Sequence, residues 1–258
     1  MKKNFLLIHG AWHAGWAWDG VRRMLEAAGH RILAPDMPGH VPGSAVADVS
    51  LADYVEAVVE AIQSMDGPVV LVGHSSAGIV LQAAAPRVAD RLEHLVFLAA
   101  FALSEGKSQL DLVPPDAAAT LRARVIDGYI PVMEPIVRHV LMAGDSAATQ
   151  DAILARLTPQ PLCLLASDVD VQAFARVQVP RSAIICDHDT SLPPNTFDQM
   201  AKDNLGDCRI IHISCGHEGL VTDHELVARA LLEAVQGQAS RDEVPQRSDG
   251  GERRHGQE

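Results

Sequence analysis

The chain has 258 residues, 48% of them hydrophobic and 21% charged, with a formal charge of −12. That length suits one α/β domain around one sizeable core, and the acidic balance argues against nucleic acid or an anionic membrane surface as a partner. No uninterrupted apolar stretch reaches the length that crosses a bilayer, and Cys163, Cys186, Cys208 and Cys215 form no C-x-x-C pair, so buried reduced thiols are expected.

The opening "MKKNFLLIHGAW" holds an apolar run that stops at His9-Gly10, too soon for the core of a signal peptide, and no small-residue cleavage site follows. A cytoplasmic protein is expected. Short apolar runs then alternate with longer segments of helical period, the pattern of a parallel sheet covered by helices. The runs "FLLIH", "RILAP", "VVLVG", "HLVFLAA", "RSAIIC" and "CRIIHI" predict strands. "AWDGVRRMLEAAG" and "SLADYVEAVVEAIQSM" space their apolar residues three and four apart and end near Gly29 and Gly67, which suit a left-handed helix terminus. "VTDHELVARALLEAV" predicts a final helix capped by Asp223.

Between 104 and 178 the strands stand too far apart for one crossover helix, and "PDAAATLRARVIDGY", "MEPIVRHVLMAG" and "SAATQDAILARL" predict an inserted helical cap, not a second sheet. From Gly237 the sequence is polar and of mixed charge, as in a disordered tail. The chain thus divides into a core of 1–103 and 179–236, a cap of 104–178 and a tail of 237–258.

At "VVLVGHSSAGIVLQAAA" a strand gives way to a helix through two adjacent serines. A nucleophilic serine on such a turn needs small neighbours two residues away on each side, and Gly73 and Ala77 flank Ser75 in that way. The usual last position is glycine; here Gly78 comes one place later. A phosphate-binding loop is excluded, because Ile79 and Val80 stand where lysine and a hydroxyl residue are required. A serine needs a base, and the base an acid, in the chain order Ser, Asp or Glu, His for this topology. "RSAIICDHDTSLPP" ends a strand in Asp187 and Asp189, and "CRIIHISCGHEGL" ends the last strand in a loop with His217. Asp189, further into its turn, is the predicted acid, and Asp187 a turn or capping residue. His212 is placed in a strand and His224 on a helix.

A tetrahedral oxyanion needs two N–H donors, one after the nucleophile and one after the first strand. Ser76 and Ala11 supply them in this reading. His9 and His13 are four apart but sit at a strand-to-loop joint without a third ligand, so no metal is expected. Trp16 and Trp18 are assigned to packing, and Trp12, beside the oxyanion loop, to the substrate pocket.

Taken together, "FLLIHGAWHAGWAWDGVRRMLEAAGH", "VVLVGHSSAGIVLQAAA", "HLVFLAAF", "CDHDTSLP" and "SCGHEGL" resemble the α/β-hydrolase superfamily, from about residue 4 to 236 and least in the cap. They are most similar to the branch of plant methylesterases, hydroxynitrile lyases and related bacterial esterases, including pyrethroid-hydrolase-like proteins. That branch has an H-G-A loop, a G-H-S elbow, a D-x-x-I/L-P turn and a G-x-H or D-H loop. These fall on His9-Gly10-Ala11, Gly73-His74-Ser75, Asp189 to Pro193 and Gly216-His217, and the 28-residue spacing from Asp189 to His217 is similar to the family's. The chain departs from the pattern at Ser76-Ala77, where the family has glycines. It also has Glu218 and Gly10 where hydroxynitrile lyases carry lysine and threonine, which disfavours the lyase reading. A carboxylate at Glu218 would favour a charged imidazole or repel an anionic substrate, unless it is simply a solvent-facing loop residue.

The resemblance and the residues imply an α/β-hydrolase fold and a serine carboxylester hydrolase with Ser75 as nucleophile, His217 as base, Asp189 as acid, and Ala11 and Ser76 at the oxyanion. The expected substrate is a small to medium, largely apolar ester, with no cofactor, no nucleic acid and no membrane partner; a homodimer is left open. Two alternatives stay open: a lyase or cofactor-free acid/base enzyme acting on a secondary metabolite, and a ligand receptor on the same fold.

Overall fold

Eight strands are present among the described residues of the structure, a computed structural model that describes residues 2–41 and 49–236. They are β1 (Asn4–Ile8), β2 (Arg31–Leu33), β3 (Val69–His74), β4 (Leu92–Leu98), β5 (Tyr129–Ile130), β6 (Gln160–Pro161), β7 (Arg181–Cys186) and β8 (Cys208–Ile213). Six of them form one sheet in the order β2-β1-β3-β4-β7-β8, with every neighbouring pair parallel. All six match predicted runs.

The unbroken apolar character of these strands follows from burial on both faces. Along β1 and β3, Leu6, Ile8, Val69 and Leu71 enter one core, whereas Phe5, Leu7, Val70 and Val72 enter the other. The first core is covered by α2 (Leu51–Gln63) and α3 (Ala77–Val88), the second by α1 (Asp19–Ala27) and the last helix, His224–Ala234. Truncating a fully buried residue such as Leu71 to alanine would cost about 2–5 kcal/mol. α2 starts on a capping box in which Ser50 Oγ accepts from the Asp53 N–H and Asp53 accepts from the Ser50 N–H. Gly29 and Gly67 have φ of 88° and 81°, the conformation predicted for them.

The parallel register carries the chemistry to one edge. Cys186 pairs with Ile213 at the ends of β7 and β8. The ladder continues as the Asp187 N–H donates to the Ile213 carbonyl at 2.9 Å and the His188 N–H to that of Cys215 at 3.0 Å. The loops after β7 and β8 therefore leave the sheet side by side, next to the β3–α3 joint, at the carboxyl edge where open α/β sheets place their sites.

Residues 104–178 differ from expectation in one respect. Helices Pro115–Ala123, Ala147–Leu154, Leu162–Ala166 and Val171–Ala175 are present, and Glu134–Ile136 runs into a π-helical turn at Val137–Leu141. A small second sheet is present too, β5 paired antiparallel with β6. An Asp-Gly turn leads into β5: Asp127 and Gly128 take φ of 49° and 83° and fold Ile126 back onto Tyr129, beyond the end of the helix at Ala123. Asp223 holds the N-cap position of the last helix, but its carboxylate makes no capping bond and instead accepts from the Thr222 hydroxyl at 2.7 Å. The predicted tail lies outside the described residues.

Candidate active site

Ser75 sits between β3 and α3 with φ of 54°, a left-handed conformation uncommon for serine. The joint is tied on both sides: the Ser75 N–H donates to the Leu98 carbonyl at 3.1 Å, and the Ser75 carbonyl accepts from Gly78 and Phe101, each at 3.1 Å. A Cβ on Gly73 would lie 2.7 Å from Leu81 Cδ1, and one on Gly78 would lie 2.0 Å from the Phe101 carbonyl oxygen. The Ala77 methyl is accommodated in the core; the close approach that admits only glycine has moved one residue on, to Gly78.

Ser75 Oγ lies 3.1 Å from His217 Nε2, and His217 Nδ1 lies 2.6 Å from Asp189 Oδ2. The Nδ1–H donates to the carboxylate, which leaves Nε2 to accept from the serine hydroxyl. Ser191, which the sequence reading missed, completes the support: its N–H donates to Asp189 Oδ1 at 2.8 Å and its Oγ lies 3.2 Å from His217 Nδ1. An aspartate in a turn commonly accepts from the backbone N–H two residues on, so Asp189 itself carried the signal for that bond, whereas nothing in the sequence marked the Ser191 hydroxyl. Phe197 stacks on the imidazole at 6.1 Å, and His74 Nε2–H donates to the His217 carbonyl at 3.0 Å. Asp187 faces away, accepting from the exposed His212 at 2.8 Å.

Burial disfavours charge on Asp189, but the His217 imidazole and the Ser191 hydrogen bonds outweigh it and hold the carboxyl at about 2. Burial also opposes charge on His217, yet Asp189 and Glu218 beside it raise the imidazole above its usual range. His74, buried and next to His217, is pushed down to about 3 and is neutral.

Glu218 is not a solvent-facing loop residue. It is 2% exposed, and its Oε2 lies 3.2 Å from Nε2 of the equally buried His13, an ion-pair contact without hydrogen-bond alignment. His13 Nδ1–H donates to the Ala11 carbonyl at 2.8 Å, so the pair ties the oxyanion loop to the histidine loop. His9 is occupied as well: Nδ1–H donates to the Gly10 carbonyl and Nε2 accepts from the Met37 N–H.

The N–H groups of Ala11 and Ser76 donate to no group among the described residues, and both residues line the cavity that holds Ser75 and His217. That cavity has a volume of about 140 Å³, and Phe101, Val113, Leu121, Ile136, Leu141 and Leu165 supply apolar wall. Trp12 lines it too, with φ of 61°; its indole N–H is shared between the Ile130 and Pro131 carbonyls at 3.3 and 3.2 Å, and its backbone N–H donates to Gln160. Trp18 is fully buried in the core, whereas Trp16 is half-buried beneath the Arg156 guanidinium at 4.2 Å.

A strained serine at a strand-to-helix joint, bonded to a histidine that is bonded to an acid from the preceding strand end, defines a hydrolase of the α/β class. The chain belongs to the alpha/beta hydrolase family, whose profile matches residues 5–230. It is 30% identical over 234 residues to the carbendazim hydrolyzing esterase of Nocardioides sp. (strain SG-4G), covering 84% of this chain and 93% of that one. It is 27% identical over 205 residues to methylesterase 8 of Arabidopsis thaliana, covering 74% of each. A solved structure, described as an extracellular alpha/beta-hydrolase from a Paenibacillus species with structural and functional homology to tobacco salicylic acid binding protein 2, superposes with a TM-score of 0.84. It is 26% identical and is covered over 98% of its length by 90% of this chain. The expected branch of bacterial esterases and plant methylesterases is borne out.

Proposed function

We propose that the chain is a serine carboxylester hydrolase acting through an acyl-enzyme, as the esterases among its relatives suggest. The observation that carries this reading is the relay Ser75 Oγ to His217 Nε2 at 3.1 Å and His217 Nδ1 to Asp189 at 2.6 Å. Ser75 Oγ attacks the ester carbonyl as His217 Nε2 takes its proton, and the carbonyl oxygen gathers negative charge against the Ala11 and Ser76 N–H groups. The C–O bond to the alcohol breaks as His217 returns the proton to the leaving oxygen. Water, deprotonated by His217, then attacks the acyl-serine, and the acid departs while Ser75 recovers its proton. No step calls for a cofactor.

A cavity of about 140 Å³ resembles in size one that takes a benzene ring, which favours a small, largely apolar ester. Residues 104–178 act as the cap in this reading, since they supply most of the apolar wall. Among the described residues no helix is long and apolar enough to cross a membrane. The cytoplasm is the proposed compartment, on the four free thiols.

The test is hydrolysis of p-nitrophenyl esters from acetate to octanoate by wild type and Ser75→Ala, with mass spectrometry after a fluorophosphonate probe. Turnover and a single label in wild type, both absent from Ser75→Ala, are expected. A wild type that neither turns over nor labels would overturn the reading.

A further inference from the structure

The loops that carry Ala11 and His217 are joined by a buried pair that packing alone does not require. His13 and Glu218 are each 2% exposed, with His13 Nε2 and Glu218 Oε2 3.2 Å apart. The Ala11 carbonyl can only accept, so His13 Nδ1 carries the proton of their 2.8 Å bond. The Glu218 carboxylate facing Nε2 can likewise only accept, so the pair holds one further proton, and that proton makes the contact attractive. Replacing both members of such a pair by apolar residues of similar volume is often neutral or stabilising, whereas removing one alone is costly.

The loop does require it. After Ala11 the chain turns at Trp12 with φ of 61°, a conformation that a residue with a side chain keeps only where its surroundings impose it. Gly10 runs so close to the nucleophile that a Cβ there would lie 2.9 Å from Ser75 Cβ. The Gly10–Ala11 peptide, which supplies the oxyanion N–H in the hydrolase reading, has its carbonyl held by His9 Nδ1–H at 2.9 Å. The next carbonyl, that of Ala11, is held by His13. Imidazoles thus grip the peptide units on both sides of Ala11. His13 is fixed in turn by Glu218, whose own carbonyl accepts from the Val221 and Thr222 N–H groups at 2.8 and 3.0 Å.

We infer that His13 and Glu218 are positioning residues for the oxyanion site: together they hold the Ala11 N–H at the angle that meets the tetrahedral oxyanion and tie it to the loop of His217. This rests on the hydrolase reading. Both act through Ala11 and not on the substrate. An N–H aimed at the oxyanion does far more for the tetrahedral state than for the bound ester, so loosening the pair lowers kcat and leaves KM nearly unchanged.

The test measures kcat and KM for p-nitrophenyl butyrate on the pH plateau in wild type, His13→Leu/Glu218→Leu and Glu218→Gln, beside the affinity of each for trifluoromethyl ethyl ketone. That ketone forms an anionic hemiketal on Ser75, which fluorine NMR detects without turnover. The double variant is expected to melt no lower than wild type yet to lose about 10²-fold in kcat, with KM within about twofold and ketone affinity falling in step. Glu218→Gln is expected to recover most of that loss, since its amide can donate to Nε2 of a neutral His13 and leave Nδ1–H on the Ala11 carbonyl. A folded double variant that keeps wild-type kcat, or a loss that falls on KM alone, would overturn the assignment while the hydrolase reading stands. Should the double variant not fold, Glu218→Leu with His13 retained gives the same readout, and unchanged kcat and ketone affinity there overturn the assignment equally. A wild type that neither hydrolyses the ester nor forms the adduct would instead overturn the hydrolase reading itself, and the oxyanion role with it.

Discussion

Replacing Glu218 by glutamine removes one charge from a buried pair and leaves the shape nearly unchanged. In the folded protein burial works against the Glu218 carboxylate, but His13 outweighs it and holds the group at about 2, against an ordinary 4.5. At about 1.4 kcal/mol per pH unit that gap corresponds to about 3 kcal/mol of stability from the pair. For a chain of this size a loss of that order lowers Tm by about 6–12 °C. The sign sets the pH window. Glu218 is depressed, so its contribution is present above 4.5 and fades as the pH falls towards about 2. His13 is raised despite burial, because Glu218 and the Ala11 carbonyl favour its charged form, so its contribution is present below 6.5 and is lost as the pH rises through its folded value. The gap between wild type and Glu218→Gln is therefore widest between 4.5 and 6.5. Melting curves at pH 6 and pH 3 read it directly, and nitrogen NMR of the imidazoles should show His13 protonated on both nitrogens in wild type at pH 6 only while Glu218 is present. Equal Tm values at pH 6, or a gap that stays constant down to pH 3, would refute the pairing argument.

The remaining expectations are more compact. Because Asp189 and Glu218 together raise His217 against the effect of burial, kcat/KM for a neutral ester should rise with pH through a value above 6.5, and Glu218→Gln should move that limb to lower pH; a limb at or below 6.5 in wild type contradicts the assignment. Asp189→Asn should reduce kcat by about 10⁴-fold in stopped-flow or steady-state assays while leaving the fold intact by circular dichroism. Gly78→Ala drives a methyl towards the Phe101 carbonyl and should destabilise the chain by about 3 kcal/mol in urea titrations, whereas an unchanged midpoint would mean that the elbow yields freely. Trp12→Phe gives up the indole N–H bonds to Ile130 and Pro131 and should cost about 1 kcal/mol by the same measurement.

Much of the scaffold was legible because a parallel strand buried on both faces leaves a run of β-branched residues that few other elements produce, as in "VVLVG" and "RSAIIC". Ser75, Asp189 and His217 were legible because each falls at the end of such a run, in the order the topology demands. Residues 104–178 were harder to read. Their short helices, such as Leu162–Ala166 and Val171–Ala175, are stabilised by what they pack against, with too few turns to show a period, and the Asp127-Gly128 turn was absorbed into a helical reading. The helix Thr196–Asn204, which brings Phe197 onto His217, was also missed. The His13–Glu218 pair joins loops from opposite ends of the chain, and only the parallel register of β1, β3, β4, β7 and β8 makes them neighbours.

Trp12 has one further consequence. Its backbone and indole are bonded to Gln160, Ile130 and Pro131, all within residues 104–178, while the adjacent Ala11 carries an N–H assigned to the oxyanion. Any outward displacement of that segment would pull, through these bonds, on the loop that carries the Ala11 N–H. Admission of a ligand and readiness to react would then be a single equilibrium, set by how firmly the Trp12 bonds hold.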